Sequence, residues 1–313
     1  MPLYFGQDKT GSLYLGSTKI GSAYMGNVKV YESTPPAMAD NTLKFRFSDT
    51  SYDPSLHITN LTGATWTQIS AEPNVWLWDA SNVVETDWSR AFYNKWTSNS
   101  NQVELIEAGA LTKPTILASY PGSGSNYYGL FARDTYLISV CPLSIPNAYD
   151  CARIFHKCTN LAGTVSLSCP SATTLADCFG GSNTSSNTAL TSANIITSSS
   201  LVEAKQIFRG CTALQSFTIS TTSSVQNFTA LCYGCTALQT VPLLATNAAT
   251  NVQSMFNNCR NVTSGALALY TQMSTQTTPP YTHDYCFYKC GADTVTGAAE
   301  LAQIPSAWGG TGS

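Results

Sequence analysis

Few residues in this 313-residue chain are equipped for chemistry, and their spacing decides what they can do. Asp150 and Glu203 fall in one column of a sequence repeat, two units apart. A pair of carboxylates could hydrolyse a glycoside if they stood roughly 5 to 9.5 Å apart. At about 4.8 Å per stacked unit they stand roughly 10 Å apart, too far. Their column reads Asn126, Asp150, Thr174, Glu203, Asn227, Asn251 and Thr282, types that satisfy turn backbone groups. The three histidines, His57, His156 and His283, are scattered, and His283 sits at a repeat position that reads as core. There is no Gly-x-Ser-x-Gly elbow. The glycine-rich stretch 121–126 lacks the lysine and flanking elements of a phosphate loop. The chain therefore reads as a non-enzyme with no cofactor.

Cysteine adds little chemistry. All 11 cysteines lie between Cys141 and Cys290, and Cys-x-x-Cys occurs once, at Cys232 and Cys235, without a second pair at zinc-site spacing. The number is odd and most fall at repeat positions, so buried unpaired thiols are expected and no metal.

Binding is better served. Hydroxyls on the expected outer face of strands, Ser139, Ser216, Thr218, Ser220, Thr240 and Ser264, could hydrogen-bond a glycan or a protein. Tyr127 and Tyr128, in the loop 125–128, offer rigid amphipathic contact area. An inserted loop from Asn183 to Asn187 is a further candidate. Trp76 and Trp78 alternate along a strand, so at least one is expected to face away from the core and could stack on a sugar.

Composition narrows the partners. Charged residues are 11% of the chain, against about 25% in an ordinary soluble domain. Serine and threonine number 76, so hydroxyls replace charges as solvent-facing groups. A net charge of −3 excludes a basic nucleic-acid binder, and no apolar run approaches the roughly 20 residues of a membrane span. The opening residues have no basic region before an apolar core, so no signal peptide is read there.

The elements that would position these residues come from a period of 24. Phe131, Phe155, Phe179, Phe208, Cys232, Phe256 and Phe287 anchor successive units, at steps of 24, 24, 29, 24, 24 and 31. Cysteine follows three residues later at Cys158, Cys211, Cys235, Cys259 and Cys290, with Asp134 and Ser182 as exceptions. Apolar residues at offsets −4, −1, 0 and +3 predict a short helical turn. Beyond Leu214 the period becomes two, which predicts a half-buried strand around Phe217 and Ile219. A unit this small cannot bury its apolar edges alone, so copies must stack. Helical segments at 264–273 and 298–304 are expected to cover one end, and the tryptophan-rich region 43–96 the other.

Phe208-Arg-Gly-Cys-Thr-Ala-Leu214, Cys232-Tyr-Gly-Cys-Thr-Ala-Leu238 and Met255-Phe-Asn-Asn-Cys-Arg-Asn-Val262 resemble the BspA-type leucine-rich repeat, with its Met-Phe-x-x-Cys-x-x-Leu signature. The resemblance covers 130–290, with an outlying copy at 88–96. It implies an α/β fold: a leucine-rich-repeat solenoid of one short helix and one strand per unit. Such repeats occur in bacterial surface adhesins and in phage or prophage tail proteins, and imply binding.

The first residues form a separate ten-residue repeat, aligning Tyr4, Tyr14 and Tyr24 with Gly6, Gly16 and Gly26 and with Lys9, Lys19 and Lys29. It reads as a small β-meander and resembles the Tyr-x-Gly-x-x-Lys-Val repeats that open many phage virion proteins. The expected organisation is a meander over 1–36, a mostly β cap over 37–129, and the solenoid with its helical cap over 130–313. The two resemblances together imply a virion protein, assembled in the host cytoplasm, that binds a bacterial surface protein or glycan. Residues 1–36 would contact other virion proteins, and meanders of this kind intertwine as homotrimers. Nucleic acid and membrane insertion are not expected. The alternatives are a structural decoration protein, a bacterial surface adhesin and, least favoured by the carboxylate spacing, a sugar depolymerase.

Overall fold

A computed structural model of the chain describes residues 37–58, 61–96, 101–119, 128–181, 187 and 189–312, together with five short strands before them. Tyr127 and Asn183 lie outside the described residues. The chain divides into two units, 1–39 and 40–313. Among the described residues it is a mixed α/β chain, mostly strands, with two α-helices.

In the first unit, β1 (Gly6–Gln7), β2 (Leu13–Leu15) and β3 (Thr18–Lys19) form one antiparallel sheet, and β4 (Ser22–Met25) pairs with β5 (Val28–Glu32).

The second unit opens with strict alternation. In β6 (Thr42–Phe47), Leu43, Phe45 and Phe47 are fully buried, while Lys44 and Arg46 turn outward to Glu107 and Glu104 at 3.2 and 3.1 Å. It pairs antiparallel with β8 (Val75–Asp79), which in turn pairs with β7 (Thr65–Gln68). On its other side lies β9 (Val103–Ala108). A two-residue pair, β10 (Ala118–Ser119) with β11 (Tyr128–Gly129), follows. β12 (Leu137–Val140) then joins β9 in parallel, completing a five-stranded sheet. Trp76 and Trp78 both lie in its core, 8% and 2% exposed. Residues at i and i+2 of a strand share a face, so the alternation places both inward with Leu77 between them facing out; neither tryptophan is open to a sugar.

The 24-residue period is realised as a parallel ladder. β13 (Leu143–Ser144), β14 (Gly163–Ser168), β15 (Leu190–Ile196) and β16 (Ser216–Ile219) form a four-stranded parallel sheet. The next unit carries Pro242, which has no N–H for a ladder, and keeps only a bridge from Thr240 to Ser264. A second ladder runs through Asp87, Ile116, Asp150, Thr174, Glu203, Asn227, Asn251 and Thr282, each bridged in parallel to the next. The position in this ladder before Asp150 is held by Ile116; Asn126 lies outside the described residues. The ladder also begins earlier than the repeat at Phe131, at Asp87, ahead of the copy at 88–96.

The anchor segment is not the helical turn that its apolar spacing suggests. Around Phe155, Phe208, Cys232, Phe256 and Phe287 the residues two before and two after the anchor have positive φ, as at Arg153 and Lys157 (55° and 61°). Ser254 and Asn258 around Phe256 (54° and 62°) repeat it. Left-handed residues at such intervals exclude an α-helix. The backbone alternates instead. Arg153 N and Phe155 N donate across to Ala176 O and Cys178 O of the next unit at 3.0 and 2.8 Å, while His156 N closes a turn on Arg153 O at 3.2 Å. Both conformations bury offsets −4, −1, 0 and +3, so the pattern alone does not separate them.

Along the core the anchors stack. Phe92, Phe131, Phe155, Phe179 and Phe208 lie face to face at centroid distances of 5.0, 5.5, 5.3 and 5.6 Å. All 11 cysteines are free thiols, and all but Cys141 are buried. Their role in the repeat is specific: Cys158, Cys235 and Cys259 donate Sγ–H to the carbonyl of the preceding anchor, Phe131, Phe208 and Cys232, at 2.9, 3.0 and 3.0 Å. In the Phe179 unit Ser182 lies outside the described residues. Asn187 takes the place of cysteine, fully buried, and its Nδ2 donates to Phe155 O at 3.0 Å. The five-residue insertion displaces the cysteine column to it, so Asn187 belongs to the core and is not a binding residue.

At the far end, α1 (Ala266–Ser274) starts after Gly265, whose φ of 97° needs no side chain, and not from a serine cap. The second helix, α2 (Val295–Leu301), begins three residues before the expected segment because Thr294 caps it, accepting from Gly297 N at 3.0 Å. The same hydroxyl donates to Val262 O at 2.6 Å. Thr294→Ala is expected to lower stability by about 1 kcal/mol, read as a shifted urea midpoint at constant slope.

Candidate functional site

The carboxylate column does backbone work. Asp150 Oδ1 accepts from Ala152 N at 3.1 Å, Asn227 Oδ1 from Thr229 N at 2.9 Å, and Asn251 Oδ1 from Gln253 N at 3.0 Å. Thr174 stands between Asp150 and Glu203 in the ladder. Burial raises the pKa of both acids, but nothing brings them onto one substrate. Burial likewise pushes the Cys141 and Cys232 thiols up to about 11, which removes their thiolate chemistry near neutral pH. Among the described residues no group of three His, Cys, Asp or Glu could hold a metal ion. No described helix is long and apolar enough to cross a membrane. His283 is not a core residue: it is half-buried, stacked on Trp308 at 4.2 Å in the covering end.

The expected hydroxyl face exists but is largely self-satisfied. Ser216, Thr218 and Ser220 are exposed on or beside β16. Thr218 Oγ1 donates to Asn194 Oδ1 at 2.6 Å, and Ser192 and Ser216 hydroxyls lie 3.4 Å apart. Ser220 Oγ donates to Thr197 O at 3.1 Å and accepts from Thr197 N at 2.9 Å. These groups knit neighbouring units together, which leaves little unmet hydrogen-bonding capacity for a ligand.

Tyr128 belongs to a different surface, the outer side of the anchor segments. Arg90 lies over its ring at 4.1 Å, and Tyr93 meets it edge-on at 4.6 Å. Arg133 sits 5.9 Å from the Tyr93 ring. One unit further come Arg153, His156 and Lys157. Arg153 pairs with Asp177 at 2.9 Å. His156 is 8% exposed, and burial together with the charges of Arg153, Lys157 and Arg133 holds its pKa down at about 3. Lys205 and Arg209 also bear on Asp177, and Arg209 lies 5.6 Å from the Tyr233 ring. The strip thus runs over several units, with phenol rings at its two ends and cations between them.

A scan against protein-family models and searches of curated proteins and of solved structures found no match. The argument for a site therefore stands on geometry. Of the described residues singled out from sequence as binding candidates, only Tyr128 joins this strip; Ser216, Thr218 and Ser220 lie on or beside β16. Arg133, Arg153, Lys157, Lys205, Arg209, Tyr93 and Tyr233 escaped notice. Their signal was present in the repeat, since these residues all fall at offsets between −3 and +2 that are not core columns. In a chain this poor in charge, a cluster of cations on one register is informative.

Proposed function

We propose that the 24-residue units form a BspA-type leucine-rich-repeat solenoid. On this reading the chain is a tail-associated virion protein of a phage or prophage that recognises a bacterial surface. The observation that carries the reading is the cation–tyrosine strip, in which Arg133, Lys157, Lys205 and Arg209 make no ion pair among the described residues. The strip suits recognition of a surface protein or glycan; Asp150 caps a turn and Thr174 stands between it and Glu203, which argues against catalysis. The unit 1–39 would hold the protein to other virion components, as a homotrimer where its strands intertwine.

Labelled protein titrated onto a panel of bacterial strains tests this. Saturable binding to a few strains is the expected result. Absence of binding to every strain would leave a structural decoration role. Detection of the protein on uninfected cells would make it a bacterial adhesin.

A further inference from the structure

We infer that the strip binds an acidic polysaccharide, with Arg133 and Lys157 taking the anionic groups and Tyr93, Tyr128 and Tyr233 stacking on the sugar rings. This deepens the surface-recognition reading and rests on it.

Charge is the first argument. Arg133, Lys157, Lys205 and Arg209 make no ion pair among the described residues, whereas Arg153 is bound to Asp177. The carboxylates nearby are engaged: Asp177 by Arg153, and Asp150 by the backbone of Ala152. Glu203, half-buried, is the remaining one, beside Lys205. The protein carries a net charge of −3, so cations gathered here oppose its overall balance.

The second argument is an unmet buried group. His156 Nδ1 is buried without a hydrogen-bond partner, and the side chain is more than nine-tenths buried among Arg133, Arg153 and Lys157. A buried polar atom left unpaired costs free energy that a sugar hydroxyl donating to it would recover. The ring is neutral near pH 7 and donates to the Asp177 backbone, which leaves Nδ1 as an acceptor for a sugar hydroxyl.

Shape supplies the third. Anchors repeat at 5.0 to 5.6 Å, so the strip from Tyr128 to Tyr233 runs about 20 Å, the length of several sugar residues. It is open and linear, which fits a polymer better than a small anion. Phenol rings at both ends and cations between them fit an acidic glycan; a bare polyanion would have no use for the rings.

The test uses the intact chain and the double variant Arg133→Asn/Lys157→Asn. Both positions have positive φ, 65° and 61°, which asparagine tolerates, so the fold is retained and the melting temperature checks it. Binding of polygalacturonate, dextran sulfate, neutral dextran and oligo(dT) is measured at physiological salt. Saturable binding of at least one acidic polysaccharide, weakened at least tenfold in the variant, with no binding of dextran, is expected. Binding of neither acidic polymer, equal binding of dextran, or an unchanged variant would overturn the proposal. Equal affinity for oligo(dT) would also overturn it, in favour of a general polyanion surface. If the variant still adheres to bacteria as the parent does, this assignment fails while surface recognition stands. If the polysaccharide binds but no strain does, the reverse holds.

Discussion

Phe155→Ala is expected to destabilise the protein by about 3–5 kcal/mol, the range for emptying a buried aromatic site. The ring is fully buried and sandwiched between Phe131 at 5.5 Å and Phe179 at 5.3 Å, with interplanar angles of 4° and 18°. Removing it strips both neighbours of a contact face at once. The gap cannot close by sliding the units together, because Phe131 N to Ile154 O and Phe155 N to Cys178 O fix their spacing at 2.8 Å each. In a chain of units that contact only their neighbours, losing both interfaces of one unit also weakens coupling between the two halves. Urea unfolding followed by circular dichroism should show a lower midpoint and a shallower slope, with Phe155→Leu much milder. A loss below about 1 kcal/mol, typical of surface positions, would mean that the ring column is not a principal source of stability.

That column was legible in the sequence because a stacked aromatic must recur at one register, and it did at Phe131, Phe155, Phe179 and Phe208. Even its interruption made sense afterwards. Where the anchor is Cys232 the residue four before it is Phe228, fully buried, in place of the smaller Ala204 or Val252 of neighbouring units. Volume is conserved across the pair, which no single-column reading reveals. The alternating left-handed backbone was not legible. Arg153, Lys157, Ser254 and Asn258 are not glycines, and their strain is held by inter-unit hydrogen bonds, which belong to the stack and to no one unit. Trp76 and Trp78 were misplaced by arithmetic: a strand repeats every two residues, so neighbours at that spacing share a face. Asn187 was misplaced because the inserted loop hid its register, although Leu190, three residues on, marks the column. The cation–tyrosine strip escaped because outward columns vary in type from unit to unit, and only geometry shows that their charges adjoin.

Asp134→Asn is expected to stabilise the protein near pH 7 by about 1–3 kcal/mol, the cost of an unsatisfied buried polar group. Asp134 stands in the cysteine column and is fully buried. Its Oδ1 accepts from Lys95 N and Trp96 N at 2.7 and 3.2 Å, while Oδ2 has no partner. By register, that oxygen stands where cysteine or Asn187 donates to the preceding anchor, here the carbonyl of Phe92. A carboxylate cannot donate, and burial pushes the Asp134 pKa well up. The folded chain therefore holds this proton more tightly than the unfolded chain, in which an aspartate titrates near about 3.9. Stability from this group is fully present below that value and is lost as pH rises through the higher folded pKa. Asparagine keeps the oxygen for Lys95 and Trp96 and adds an amide donor at every pH. Asp150, Asp177 and Glu203, also raised by burial, slope the same way in both proteins, so the difference between parent and variant isolates Asp134. Urea unfolding at pH 4.5, 6 and 7.5 should show the advantage of the variant growing with pH and shrinking toward pH 4. A variant less stable than the parent at pH 7.5, with an unchanged pH slope, would show that the buried carboxylate is satisfied and that its proton is not linked to folding.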